Sequence, residues 1–166
     1  MKKLVLYFSR ADENYYGGAY KYVTKGNTEV VAEKIAKLTG ADLFKIEPTT
    51  PYSKVYNECI EQAKKDLQQR TRPSVKAIPT NLDQYDTIYL GYPIYWGKFP
   101  MHIFTVLEQI DTAGKTIKPF STHEGSGLGT SMEDVRKLCP KAKISSGLAI
   151  SGSGVQRCDS QLQNWV

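Results

Sequence analysis

The sequence predicts an α/β protein, a three-layer sandwich in which five strands alternate with five helices about a parallel sheet. Two observations predict it. Short apolar runs of strand length recur at 2–8, 41–46, 85–91, 116–120 and 144–150. Between them lie stretches whose apolar residues fall at helical spacing, such as Val31, Ile35 and Leu38.

The elements follow in order. The run from Lys2 to Phe8 ends at Ser9-Arg10, too short for a secretory core, so the segment opening with Met1 is read as a first strand. The stretch 10–26 is irregular, holding Asp12, Glu13, Asn14, Gly17, Gly18 and tyrosines at 15, 16, 20 and 22. A loop this long is functional or disordered, and its aromatic content argues against disorder. Asn27 or Thr28 is a good N-cap for the first helix, and Gly40 a C-cap. A second strand at 41–46 and a Pro-rich loop lead to a helix from 54 to about 70, with Tyr56, Ile60, Ala63 and Leu67 inward. The third strand, 85–91, precedes Tyr92-Pro93-Ile94-Tyr95-Trp96-Gly97. A helix then starts at Pro100 with Ile103, Leu107 and Ile110 on one face. Strand 116–120 runs into a glycine-rich loop and a helix at about 131–138. A fifth strand at 144–150, the turn Ser151–Gly154 and a short helix marked by Val155, Cys158, Leu162 and Trp165 complete the chain.

Composition narrows the function. A length of 166 residues suits one domain, 1–166, and 40% hydrophobic with 23% charged residues is ordinary for a soluble globular chain. No apolar run approaches a membrane span, and a cytoplasmic location is expected. Three widely spaced cysteines form no C-x-x-C pair, and two histidines form no metal-spaced cluster, so neither zinc nor a redox dithiol is indicated. The net charge is +5, but the basic residues are scattered, which argues against nucleic acid as a partner.

Three strand-to-helix loops, 9–28, 92–99 and 121–129, share the carboxyl edge of a parallel sheet, where open α/β sheets bind ligands. The first couples Ser9-Arg10-Ala11 to Gly26-Asn27-Thr28 at a helix start; hydroxyls and free N–H groups there make a phosphate site. No Gly-Lys-Ser/Thr occurs, so it is not a Walker loop. The second, Pro93-Ile94-Tyr95-Trp96-Gly97, offers flat aromatic surface. The third, Thr122-His123-Glu124-Gly125-Ser126-Gly127, offers backbone groups to a ring edge. Phosphate site, stacking ring and polar edge together describe flavin mononucleotide (FMN).

On these motifs the chain resembles the flavodoxins, in particular a variant whose phosphate loop carries an insertion. Ser9-Arg10 and Gly26-Asn27-Thr28 match the two halves of the family's phosphate loop, Trp96-Gly97 its flavin-stacking pair, and His123–Gly127 the variant's third loop. The resemblance implies a flavodoxin-like three-layer sandwich with a five-stranded parallel sheet in the order 2-1-3-4-5. It implies an FMN-binding electron carrier, cycling through semiquinone and hydroquinone, with Trp96 stacked on the flavin and no catalytic side chain. It also implies redox partner proteins, here with acidic docking surfaces because the chain is basic, and a monomer or weak dimer. The alternative on the same fold is a flavin-dependent NAD(P)H or quinone reductase. Two departures stand out. The third loop has only His123 as a ring, where many flavodoxins place a tyrosine, and the chain is basic where the family is typically acidic. An insert tyrosine (15, 16, 20 or 22) is therefore expected to cover part of the cofactor.

Overall fold

The computed structural model describes residues 2–16 and 18–166; Met1, Gly17 and the side chain of Tyr16 lie outside the described residues. The chain runs β1 (Lys2–Tyr7), β2 (Asp12–Tyr16), β3 (Ala19–Val23), α1 (Asn27–Thr39), β4 (Asp42–Lys45), α2 (Tyr56–Gln69), β5 (Tyr85–Pro93) and α3 (Met101–Leu107). It continues with β6 (Thr116–His123), α4 (Ser131–Leu138), β7 (Lys143–Ile144), β8 (Leu148–Ser151) and α5 (Asp159–Trp165). The main sheet has six strands, paired in parallel in the order β4-β1-β5-β6-β7, with β8 also on β6.

Alternation along the strands sends side chains to two cores. Leu4, Leu6, Phe8, Ile88, Leu90 and Tyr92 face one side, where they meet α3 through Ile103 and Leu107 and α4 through Val135. Val5, Tyr7, Tyr89 and Phe120 face the other, against Val31 and Ile35 of α1 and Leu162 of α5. The expected α/β sandwich with helices on both faces is what forms.

The structure corrects the strand count in two places. The stretch 10–26 is not an irregular loop: β2 and β3 pair as an antiparallel hairpin apart from the main sheet. The expected strand 144–150 is split, because Ser145-Ser146-Gly147 interrupts the pairing and carries no β-branched or aromatic side chain to fill a pleat. Its halves pair β6 separately, β7 at Thr116–Ile117 and β8 at Phe120–His123. Two further differences are local. The N-cap of α1 is Gly26, one or two residues before the expected Asn27 or Thr28. Helix α3 ends at Leu107, short of Ile110, and is buried all round rather than on one face. The segment after α2 covers its outer side, where Thr105 Oγ1 donates to the Pro73 carbonyl at 2.8 Å.

The register brings the strand ends level. Tyr7 pairs Gly91, Gly91 pairs Phe120 and Phe120 pairs Leu148. Gly91 has to lack a Cβ, which would fall inside the Phe120 ring on the neighbouring strand. Beyond this row, β5 continues to Pro93 and β6 to His123, further than the apolar runs predict. The loops after β1, β5 and β6 therefore leave the sheet side by side.

Candidate functional site

A cleft opens at this carboxyl edge. It is lined from the first loop by Ser9, Arg10, Asn27 and Thr28, from the second by Pro93, Ile94 and Tyr95, and from the third by Thr122, His123, Glu124 and Ser126. Thus all three predicted loops meet around one space. Asn14 and Tyr15 of the hairpin and Tyr56 of α2 complete the wall.

The start of α1 has the chemistry of an anion site. Gly26 sits where the chain crosses the strand end: a Cβ there would collide with Ser9 Oγ and the Arg10 carbonyl. That close approach lets Ser9 Oγ accept the Glu29 N–H at 3.0 Å, while the Val30 N–H donates to the Gly26 carbonyl at 3.2 Å. The N–H groups of Asn27 and Thr28 make no hydrogen bond among the described residues. Two open donors at the positive end of a helix fit a phosphate. Thr28 Oγ1 shares a 2.8 Å hydrogen bond with Thr122 Oγ1, joining the first loop to the third. Arg10, also on the cleft lining, is held by the hairpin and by the loop before α2. Its guanidinium donates to the Ser53 carbonyl (2.7 Å), to Asn14 Oδ1 (3.2 Å) and to the Glu13 carbonyl.

The second loop is set by a tight turn. Tyr95 and Lys98 exchange backbone hydrogen bonds of 2.7 and 3.1 Å, and the two central residues, Trp96 (φ 56°) and Gly97 (φ 79°), are both left-handed. This is the pattern of a type I′ turn. It is natural for Gly97 and strained for a bulky residue such as Trp96. The turn separates two rings that are adjacent in sequence. Tyr95 lines the cleft, whereas Trp96 is 49% exposed and donates its indole N–H to the Ile60 carbonyl of α2 at 2.7 Å, with the Lys64 ammonium over its ring. Trp96, the expected stacking residue, is therefore not among the residues lining the cleft, because the left-handed backbone swings its side chain onto α2. Burial pushes the Tyr95 phenol well above its ordinary pKa; neighbouring Cys59 adds to the rise and Arg10 opposes it.

The third loop folds on itself and onto the second. His123 Nδ1 accepts the Gly125 N–H (2.9 Å), and Ser121 Oγ donates to the Gly127 carbonyl (2.8 Å). The Gly97 carbonyl accepts the Thr130 N–H at 2.8 Å, and a Cβ on Gly129 would collide with that carbonyl. Of the other sequence candidates, Ala11, Gly26, Gly97, Gly125 and Gly127 also stand outside the cleft lining. Gly26 and Gly97 shape the loops rather than face the space.

Asn14 and Tyr56 join the site although neither belongs to the motifs of the three loops. Gly17-Gly18 between Tyr15-Tyr16 and Ala19-Tyr20 is a two-residue hairpin signal that would have lifted Asn14 and Tyr15 out of an irregular loop. Tyr56 had no such signal, since its helical spacing matches a core position equally well.

The comparisons with known proteins identify the family and the fold. A family model for flavodoxins matches residues 18–166. Among solved structures, the chain is similar to a Bacteroides eggerthii protein described as a flavoprotein, with 28% identity over 99% of this chain and 97% of that one, and a TM-score of 0.75. A Bacteroides uniformis protein described in the same way is 25% identical over 98% and 97%, with a TM-score of 0.76. The Lactobacillus acidophilus flavoprotein, solved in complex with FMN, shares the fold at 20% identity over 99% and 97%, with a TM-score of 0.70. No curated protein matches the chain.

Proposed function

The chain belongs to the flavodoxin family, and on that premise we propose that it binds FMN non-covalently in the cleft at the sheet's carboxyl edge and transfers electrons. The carrying observation is the open start of α1, where two N–H groups unpaired among the described residues and the hydroxyls of Ser9 and Thr28 stand where three loops converge. The FMN complex of the similar Lactobacillus acidophilus fold supports the choice of cofactor. Counting main-sheet strands alone, with β7 and β8 as one split strand, we read the order as 2-1-3-4-5, which puts the cleft where that order reverses.

In this reading Ser9, Asn27, Thr28 and the α1 amides hold the phosphate with neutral donors, and Arg10 braces the hairpin. Tyr95 takes the aromatic role expected of Trp96. Backbone groups of the third loop face the polar edge of the ring. FMN supplies the redox chemistry, and the chain supplies binding, orientation and electrostatics. The three buried, unpaired cysteines suit a reducing compartment such as the cytoplasm.

The test is a visible spectrum of the purified protein followed by titration with dithionite and with NADH. Bound flavin reduced in two separate one-electron steps by dithionite, and slowly by NADH, supports the carrier. Rapid bleaching by NADH supports a flavin-dependent reductase. Protein that neither carries FMN nor takes it up refutes both.

A further inference from the structure

The hairpin has a docking arrangement of its own. Glu13 Oε1 accepts the Tyr56 N–H at 2.8 Å, so a carboxylate from β2 supplies the N-terminal cap that α2 does not get from its own N-cap residue, Val55. The Glu13 N–H donates to the Lys54 carbonyl at 3.2 Å, and Arg10 ties the Glu13 carbonyl and Asn14 to Ser53. Asn14 Nδ2 returns a bond to the Arg10 carbonyl at 2.9 Å, and Tyr20 OH donates to Asn57 Oδ1 at 3.2 Å. What these bonds hold together is aromatic. The rings of Tyr15, Tyr20 and Tyr56 pack on one another with centroids 5.6–6.3 Å apart, and Tyr15 and Tyr56 both line the cleft.

We infer that the hairpin is a clasp that builds one aromatic wall of the flavin cleft, and that Glu13 is its positioning residue. This rests on the flavin reading above. Glu13 does not line the cleft. It acts by fixing the start of α2 against β2, so that Tyr56 and Tyr15 stand together on the cleft wall. A hairpin of two short strands has little stability of its own, so losing the carboxylate loosens the clasp, still tethered through Arg10, Lys54 and Asn57, while both cores stay intact. The wall contacts ring rather than phosphate, which separates its effect from that of Thr28.

The experiment measures binding of FMN and of riboflavin, and the fluorescence of the bound flavin, in wild type, Glu13→Ala and Glu13→Gln. Amide hydrogen exchange on the ligand-free proteins is read in parallel. In Glu13→Ala both ligands are expected to weaken by a similar factor, about tenfold for the loss of one charged hydrogen bond. Bound-flavin fluorescence should rise as the tyrosines withdraw, and exchange at Tyr56 and in β2 and β3 should accelerate. Glu13→Gln, which keeps an acceptor oxygen, should stay near wild type in all three. If Glu13→Ala binds both flavins like wild type with unchanged fluorescence, the positioning role is overturned while the function stands. A wild-type protein that binds neither flavin overturns both.

Discussion

His102 shows how one residue can carry a consequence beyond the site. It is 1% exposed in α3, packed between the rings of Phe8 (5.0 Å) and Tyr52 (5.3 Å), and its Nδ1 has no hydrogen-bond partner among the described residues. Burial lowers its pKa from 6.5 to about 4, with Asp66 opposing slightly. Above pH 6.5 both folded and unfolded chains hold it neutral. As the pH falls toward 4, the unfolded chain takes up a proton that the folded chain refuses, so stability declines by up to about 3 kcal/mol. Denaturant unfolding across this window should show the decline, and His102→Gln should flatten it. Thr28 is the second case. Thr28→Val removes the hydroxyl that meets Thr122 Oγ1, and should weaken FMN binding by about 1–3 kcal/mol while sparing riboflavin, which lacks the phosphate. Equal losses for both ligands in a binding titration would remove the phosphate assignment. Tyr95 and Trp96 form the third. Tyr95→Ala should raise the fluorescence of bound flavin and Trp96→Ala should leave it unchanged; the reverse result would return the stacking role to Trp96.

At the scale of elements, the loops act as one unit because backbone meets backbone where only glycine fits. Gly129 has φ 53° and lies against the Gly97 carbonyl. Gly129→Ala should therefore separate the second and third loops and destabilise the fold by at least about 2 kcal/mol, read as a shifted denaturation midpoint. Long elements were legible in the sequence. Helices α1, α2 and α4 fall where helical spacing and Gly40 or Pro punctuation place them, within a residue or two. The hairpin is legible only from its Gly17-Gly18 turn signal, because its strands are polar and aromatic rather than alternating against a core. The all-round burial of α3 was not legible, since the segment that covers it comes from elsewhere in the chain.

At the scale of the whole molecule, charge is the main lever. A net charge of +5 favours adding an electron to a bound flavin, so the second reduction should occur at a less negative potential than in an acidic flavodoxin. Potentiometric titration checks this. If the potential is as low as in the acidic proteins, local groups such as Glu124 outweigh the net charge. If the proposed electron-transfer role holds, the same charge predicts a redox partner with an acidic surface, whose association rate should fall as salt rises. Among the described residues no helix is long and apolar enough to cross a membrane.

The sequence by itself determined the α/β alternation, the two-faced sheet and the three loops at its carboxyl edge. These follow from local periodicity, from glycine positions and from the rule that parallel strands end on one side. Only the tertiary structure decided which ring of Tyr95-Trp96 faces the cleft, because that turns on the left-handed backbone of a two-residue turn. It also decided that Arg10 braces the hairpin through its guanidinium, and that Glu13 caps a helix 43 residues further along. Contacts between elements distant in sequence leave no periodic trace, and they come into being only when the chain closes on itself.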